Sequence, residues 1–563
     1  MPRIISGETH HPVDRRQFLT QSSLALAGMT IGTRLRAQTP ELVHLPTRSP
    51  RPVSAFIRSV SDPETLRKLA ATAIETAMQA GADWADIRVG DRRDLIGNRV
   101  MLSYGFGIRV RVGGAEAFLG GGSPTQERVM DAARSAVATA RGIAKSPEWS
   151  AELARPLAAT PVVKGEWRAP IAIDPFTVPV DDHWLVGRSN GGSNDVRLKI
   201  FNSDKVRFGG ASWYAETRVF ASSEGSATTQ FLGGATAQTW NVDDQSWRRW
   251  TGTMNLISVP GYDIESCTAG FEILLQHDRH DQLEALGREV ERYRALPYGH
   301  PDVGRYNIVL DGPAHAALLR ESLVQGLSLH RALGDDADVD GMSPFAPPTE
   351  WIGQTIASPL MTLQADAGAP RYGAAAWDDE GVATKTVPLI VNGKLVHYLT
   401  SRATAPALET STNGKTDVST ALSGTTRTPD VTHQPLEMPP SVTVLPGKDG
   451  SLTALAKQLG TGMLVRGAYV TVNPQGTGGF INPTLAFEVR RGELVRRIGG
   501  FRFSFNSKKM LQSMIALGNA ETLHSYTTNS VVSFPWLPFE TVVRAPAAAY
   551  KNLDVTTNLL LTS

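Results

Sequence analysis

The chain has 563 residues, and its 56 Lys and Arg nearly balance 55 Asp and Glu, for a formal charge of +1. At roughly 150 residues per domain this length holds about three or four compact units, and the near-neutral balance excludes the global field of a general nucleic-acid binder. The single cysteine, Cys267, excludes an intrachain disulfide and a thiolate zinc cluster, so chemistry must come from oxygen and nitrogen groups or one lone thiol.

Residues 1–37 read as an export signal. Arg15 and Arg16 precede Gln17, Phe18 and Leu19, a short apolar run covers Leu24 to Ile31, and Ala37 is a candidate cleavage position. This pattern resembles a twin-arginine signal, which implies a periplasmic or cell-envelope location. The apolar run falls far short of the ~20 residues that cross a bilayer, and no later segment reaches that length, so no membrane span is expected.

Ser61, Asp62, Pro63 and Glu64 predict a capped helix start, followed by a buried stripe of Leu66, Leu69, Ala70, Ala73 and Ile74 to about Gln79. Short β-type runs come next at Trp84 to Val89, Asn98 to Tyr104, Phe106 to Val112 and, across the Gly113-Gly114 turn, Ala115 to Leu119. Ser123, Pro124 and Gln126 predict the cap of a second helix, with Val129, Ala132, Ala133, Ala136 and Val137 facing the core. Residues 62–142 therefore read as a small N-terminal α+β domain. Beyond an Ala/Pro-rich connector at 143–165, alternation in Trp213 to Phe220 and Thr228 to Val242 predicts a β-rich middle domain over 166–297, closed by helical spacing after Gly270. Ile308 to Leu310 opens the largest, mixed domain, 303–555. It is expected to hold one helix from about Pro313 to Leu333, a hairpin turning at Asn392-Gly393, and a Pro- and Thr-rich loop from Thr425 to Pro440. The fold class is α+β.

Five motifs stand in a fixed order along these domains: Gly105 to Val112, Ser222-Ser223-Glu224-Gly225, Trp377-Asp378-Asp379-Glu380-Gly381-Val382, Val391-Asn392-Gly393-Lys394-Leu395 and Ala516-Leu517-Gly518-Asn519. In order and spacing, over about residues 62 to 555, the chain resembles the TldD/PmbA peptidase family. The resemblance implies a dimer enclosing a cavity, either a homodimer or a heterodimer with a metal-bearing TldD-like paralogue. It also implies, in the catalytic subunit, a zinc metallopeptidase acting on small or unfolded peptides.

In that catalytic subunit a helix carries His-Glu-x-x-x-His, whose imidazoles hold the metal while the Glu activates water. The matching positions here are Leu319-Arg320-Glu321-Ser322-Leu323-Val324-Gln325-Gly326. Glu321 remains as a vestigial general base, but Arg320 and Gln325 replace both histidines. An arginine cannot lose its proton to ligate and repels a dication, and a glutamine offers only a weak carbonyl oxygen. The family's third ligand, a late cysteine, falls near Thr527 or Thr528. The sequence therefore predicts no metal ligand set and no cofactor, with Arg320 and Gln325 as substrate-binding positions for a peptide. The implied role is the noncatalytic subunit or a peptide-binding member; the alternative is an active hydrolase that retains Glu321 in a non-standard site.

Other constellations read as structural. His277 and His280, beside Asp278 and Asp281, form a polar helix start, and Asp335, Asp336, Asp338 and Asp340 lack the Gly and terminal Glu of a calcium loop. On one continuous helix His315 and His330 would stand ~22 Å apart, too far to share a metal. Cys267 reads as an inert thiol, and Asp378-Asp379-Glu380 as a turn rather than a cation site. If its helix faces the enclosed cavity that the resemblance implies, Arg320 needs a counter-charge; the alternative is that it reaches solvent. Glu321, about 100° around the helix, reads as an awkward mate. A carboxylate from elsewhere in the domain or from a peptide terminus is expected instead.

Overall fold

The computed structural model describes residues 62–96, 99–149, 154–178, 205–209, 212–235, 239–243, 256–258, 265–275, 288–289, 292–293, 295–335, 341–368, 370–411, 422–532 and 537–557. The expected export signal, His277, Asp278, His280, Asp281, Asp336, Asp338 and Asp340 lie outside them.

Helix α1 (Pro63–Gln79) starts after Asp62 with proline in its first turn, although the Asp62 side chain makes no capping bond. Helix α2 (Gln126–Ala144) is capped by Thr125, whose hydroxyl accepts the Arg128 N–H at 3.3 Å. Ser123, the expected cap, instead turns the chain at a φ of 49°. The apolar stripes Leu66, Leu69, Ala70, Ala73 and Val129, Ala133, Ala136, Val137 meet in one core against the sheet behind them.

The first strands are β1 (Trp84–Ile96), β2 (Arg99–Val112), β3 (Ala115–Gly122), β4 (Lys164–Arg168), β5 (Lys205–Gly209), β6 (Ser212–Ser222), β7 (Ala227–Ala235), β8 (Thr239–Asp243) and β9 (Leu256–Ser258). Six of them form one sheet in the order β3-β2-β1-β6-β7-β4, while β5, β8 and β9 form a small separate one. The strands expected in the N-terminal and middle domains are thus joined, because β1 pairs antiparallel with β6 along its length, from Asp86 opposite Ser222 to Ile96 opposite Ser212. Both faces of this sheet are covered, which explains why β6 buries Trp213, Tyr214, Glu216, Arg218, Val219 and Phe220 with little alternation. Val219 joins the core under the helices, and Phe220 packs against Gly381 on the other side.

The C-terminal half adds β10 (Tyr298–Gly299), β11 (Gly304–Leu310), β12 (Leu363–Ala365), β13 (Val387–Val391), β14 (Lys394–Leu395), β15 (Ser441–Val444), β16 (Gly462–Val472), β17 (Gly478–Arg490), β18 (Glu493–Ile498), β19 (Phe501–Asn506), β20 (Met514–Leu517), β21 (His524–Val532), β22 (Leu537–Ala545) and β23 (Ala548–Thr557). They build two mixed sheets, β10-β18-β17-β16-β11-β23-β19 with β20 added on β23, and β14-β13-β12-β15-β22-β21. Helix α3 (Gly312–Ser322) packs against β16 of one sheet and against β21 and β22 of the other. It is buried almost all round, from Ala314 through Leu319 to Arg320, as a helix between two sheets must be.

The single helix expected from Pro313 to Leu333 is broken. After α3 the chain leaves helical geometry at Leu323 (φ −131°, ψ −56°), makes a 3₁₀ turn over Val324–Leu327, and re-enters a short helix, α4 (Leu329–Leu333). The cause is tertiary. The Leu399 N–H donates to the Leu327 carbonyl at 2.7 Å, and the Leu329 N–H donates to the Leu399 carbonyl at 2.9 Å, so a distant segment takes the backbone groups a continuous helix would use. Glu437 adds to this by accepting both the Ser328 hydroxyl and the His330 N–H at 2.8 Å.

Candidate functional site

Arg320 lies in the last turn of α3, only 2% exposed, and its Nη1 donates to Glu321 Oε1 at 2.6 Å. The expectation that Glu321 is an awkward mate is therefore corrected: the flexible arginine stem at a helix end spans the angular offset between neighbours. Neither a distant carboxylate of the domain nor open solvent takes its place. Two further Arg320 donors, Nε and Nη2, are buried and meet no acceptor. The Glu321 side chain remains 22% exposed. Beside it stands Tyr469 of β16, a residue the motif reading missed, whose phenol is pushed up by partial burial and by the Glu321 charge. Gln325 falls in the 3₁₀ turn, where its Oε1 accepts Arg331 Nη1 at 3.2 Å. Arg320 and Glu321 are thus brought together, while Gln325 is engaged by another group.

The opposite end of α3 is a polar cap. Asp311 accepts the Ala314 N–H at 3.0 Å and the Gly467 N–H at 3.0 and 3.2 Å, and full burial pushes its carboxyl up to about 7. His315, one turn on, is enclosed. Its Nδ1, 2.7 Å from the Pro546 carbonyl, must carry the proton, so its Nε2 accepts the Tyr550 hydroxyl at 2.8 Å. Burial pushes this imidazole down to about 4, and both nitrogens are used, which leaves no lone pair for a metal. His330 pairs with Asp335 at 3.1 Å. Burial would raise the Asp335 carboxyl, but His330 and Arg155 hold it well below the usual carboxylate range. Cys267 is half-buried, and burial with the nearby Glu265 and Glu272 charges pushes its thiol up to about 12, so the reactive thiolate is disfavoured.

The acidic run locks the N-terminal sheet to loops of the C-terminal half. Both Asp379 oxygens lie 2.7 Å from Arg218 Nη1, and the Thr428 N–H donates to Oδ2 at 2.6 Å. Glu380 Oε1 is 2.8 Å from Arg109 Nη1, and its Oε2 accepts the Arg402 N–H at 2.7 Å. Asp378 Oδ1 accepts the Glu380 and Val382 N–H groups at 2.9 Å, closing the turn at Gly381. Its burial and the Glu380 charge push the Asp378 carboxyl up to about 8. Glu224 of the second motif holds Arg402 through two 2.7 Å bonds. Guanidinium groups already fill the places a cation would take.

The remaining motifs are scaffold as well. A Cβ on Gly107 would strike the Val431 carbonyl and one on Gly120 the Thr432 carbonyl, so bare glycine lets the loop from Thr425 to Pro440 lie on the sheet. Asn392 (φ 49°) and Gly393 (φ 78°) make the tight hairpin turn between β13 and β14. The N–H of Gly518 donates to the Ala547 carbonyl at 2.7 Å beside the start of β23.

The zinc implied by the resemblance does not fit Arg320, Glu321 and Gln325 as the structure places them. A guanidinium occupies one side of Glu321, Gln325 is engaged by Arg331, and His315 is saturated. Among the described residues no group of three or more His, Cys, Asp or Glu is placed to hold a metal ion. Thr527 and Thr528 lie in β21 opposite Val542 and Thr541, and α3 packs against that strand; their side chains are outside the described residues. No helix among the described residues is long and apolar enough to cross a membrane.

Comparison with known proteins places this geometry. Residues 303–557 match the family model for the PmbA/TldA metallopeptidase C-terminal domain. A metalloprotease of Methanothermobacter thermautotrophicus is 27% identical over 277 residues, 47% of this chain and 55% of that protein, so the chain spans about half the length of this curated relative. The fold as a whole is similar to that of TldE from Thermococcus kodakarensis, with a TM-score of 0.61 at 18% identity over 87% of this chain and 100% of that one. A protein of Thermotoga maritima described as a putative modulator of a DNA gyrase gives a TM-score of 0.60 at 14% identity, again over 87% and 100%.

Proposed function

We propose that the chain, whose residues 303–557 match the PmbA/TldA metallopeptidase C-terminal domain, is a noncatalytic member of the TldD/PmbA family, binding small or unfolded peptides or completing a cavity with a metal-bearing relative. The observation that carries this reading is the 2.6 Å pair between Arg320 and Glu321. The resemblance implies a Glu that activates a metal-bound water; here the neighbour of Glu321 is a permanent, buried cation that can neither ligate nor accept a proton. A general base also needs a free lone pair aimed at water, and one oxygen of Glu321 is already committed to Arg320.

Export by the twin-arginine route, a periplasmic or cell-envelope location, and assembly as a homodimer or as a heterodimer with a metal-bearing paralogue belong to the same proposal. The alternative of an active hydrolase rests on the residual exposure of the Glu321 side chain, 22%. Metal analysis and peptide hydrolysis, on the purified protein alone and after co-expression with a relative carrying intact His-Glu-x-x-x-His, separate the two. The noncatalytic reading expects well under one metal per chain and background hydrolysis when alone. One tightly held metal with chelator-sensitive cleavage by the isolated chain overturns it.

A further inference from the structure

The Arg320 guanidinium has one edge in use and the other free. Nη1 donates to Glu321, whereas Nε and Nη2 are buried without an acceptor in a side chain only 2% exposed. Those two N–H groups point the same way from one planar group. They form the side-on fork that takes both oxygens of a carboxylate at once. Buried guanidinium donors are ordinarily satisfied, since stranding them in a low dielectric is destabilising. A free fork, rather than one stray donor, is the pattern a planar two-oxygen ligand would complete.

Resting on the noncatalytic, peptide-binding reading above, we propose that the Nε–Nη2 edge of Arg320 receives the C-terminal carboxylate of a bound peptide. A singly charged ligand suits the site better than a phosphate, because Glu321 already places one negative charge on the same guanidinium. A chain terminus suits it better than a mid-chain peptide group, because only the terminal carboxylate brings two equivalent oxygens and a full negative charge to a two-donor fork. Tyr469, 63% exposed and within reach of the Glu321 charge, has a phenol that stays protonated and can donate a hydrogen bond to a bound peptide. Both free N–H groups are shielded from solvent, so binding includes a local opening at this end of the helix.

The test uses the purified full chain and matched pools of short unstructured peptides, one with free C-termini and one amidated, the amidated pool including sequences with internal Asp and Glu. Retained peptides are identified by mass and their affinities measured by calorimetry. The free acids should bind more tightly than their amides by roughly tenfold to a hundredfold, as a charge-assisted pair in a dry site does. Arg320→Lys, which keeps the charge but loses the fork, and Arg320→Gln should both erase that preference. If either variant fails to fold, the wild-type comparison of acid with amide decides alone. Equal retention of acids and amides overturns the inference while leaving peptide binding intact, as does a preference that survives Arg320→Lys. Retention of amidated acidic sequences as strongly as free acids assigns the fork to side-chain carboxylates and overturns the terminal one. Retention of neither pool overturns it as well. Fragment masses that appear with the protein and vanish with chelator would instead sink the noncatalytic reading itself.

Discussion

Arg218 on β6 and Asp379 in the acidic run lie 161 positions apart, yet Arg218 Nη1 sits 2.7 Å from both carboxylate oxygens. Arg218 also holds Glu216 through Nε at 2.7 Å and Nη2 at 2.9 Å, so one guanidinium neutralises two buried carboxylates where β6 meets the acidic loop. Burial would raise the Asp379 carboxyl, but Arg218 and the Thr428 N–H hold it below its usual value.

Removing that cation should be expensive. Arg218→Met leaves Asp379 without its side-chain cation in a buried site, and a loss of about 3–5 kcal/mol is expected, read as a fall in the denaturant midpoint. Arg218→Met with Asp379→Asn should lose less than the sum of the single changes, because the stranded charge is gone. Strict additivity would show that the pair does not hold β6 to the acidic loop.

The glycine floor of the first sheet gives a steric prediction. Gly120→Ala drives a Cβ into the Thr432 carbonyl, where backbone cannot yield as a flexible side chain could. A destabilisation of about 1–3 kcal/mol is expected from such overpacking. Gly142→Ala, where a Cβ meets nothing within 4 Å and the position lies in α2, is the control and should be neutral or slightly stabilising. Equal effects at the two positions would remove the loop from the sheet.

His315 makes stability depend on pH with a definite sign. Its imidazole is pushed down to about 4 in the folded protein by burial, against an ordinary value of about 6.5. Between these values the unfolded chain binds the proton and the folded one does not, so stability is lost as pH falls from about 6.5 to about 4 and not further from this group below that. From pH 7 to pH 5 the loss is about 2 kcal/mol. Thermal melts of the wild type and His315→Gln at both pH values check this: the variant should show a smaller drop on acidification. The same drop in both would exclude His315 as its source.

Restoring two imidazoles should not restore the centre. Arg320→His with Gln325→His removes the cation and supplies two ligands, but Leu323 breaks the helix between them and Arg331 loses the acceptor that Gln325 provides. Weak zinc binding without efficient peptide cleavage is expected, since a catalytic zinc site uses three protein ligands. Tight, stoichiometric zinc in the double variant would show that a third ligand is already in place.

Whatever depends on a few neighbouring residues was legible in the chain itself. The stripe of Leu66, Leu69, Ala70 and Ala73 and the hairpin turn at Asn392-Gly393 both follow from residue type and spacing over one or two turns. The five ordered motifs carried the resemblance, yet they are scaffold positions, where close backbone approach and buried ion pairs restrict the residue type. What only the tertiary structure decided depends on partners far along the chain, from 70 positions for Leu329 and Leu399 to 291 for Arg88 and Asp379. β1 found β6 rather than a sheet of its own, the Leu399 backbone broke the helix after Ser322, and Asp379 met Arg88 and Arg218. Even the mate of Arg320 was settled this way. Its neighbour Glu321 was visible in the sequence, but two flanking sheets bury the guanidinium, and burial is what makes the adjacent carboxylate its partner and leaves the other edge of the fork unfilled.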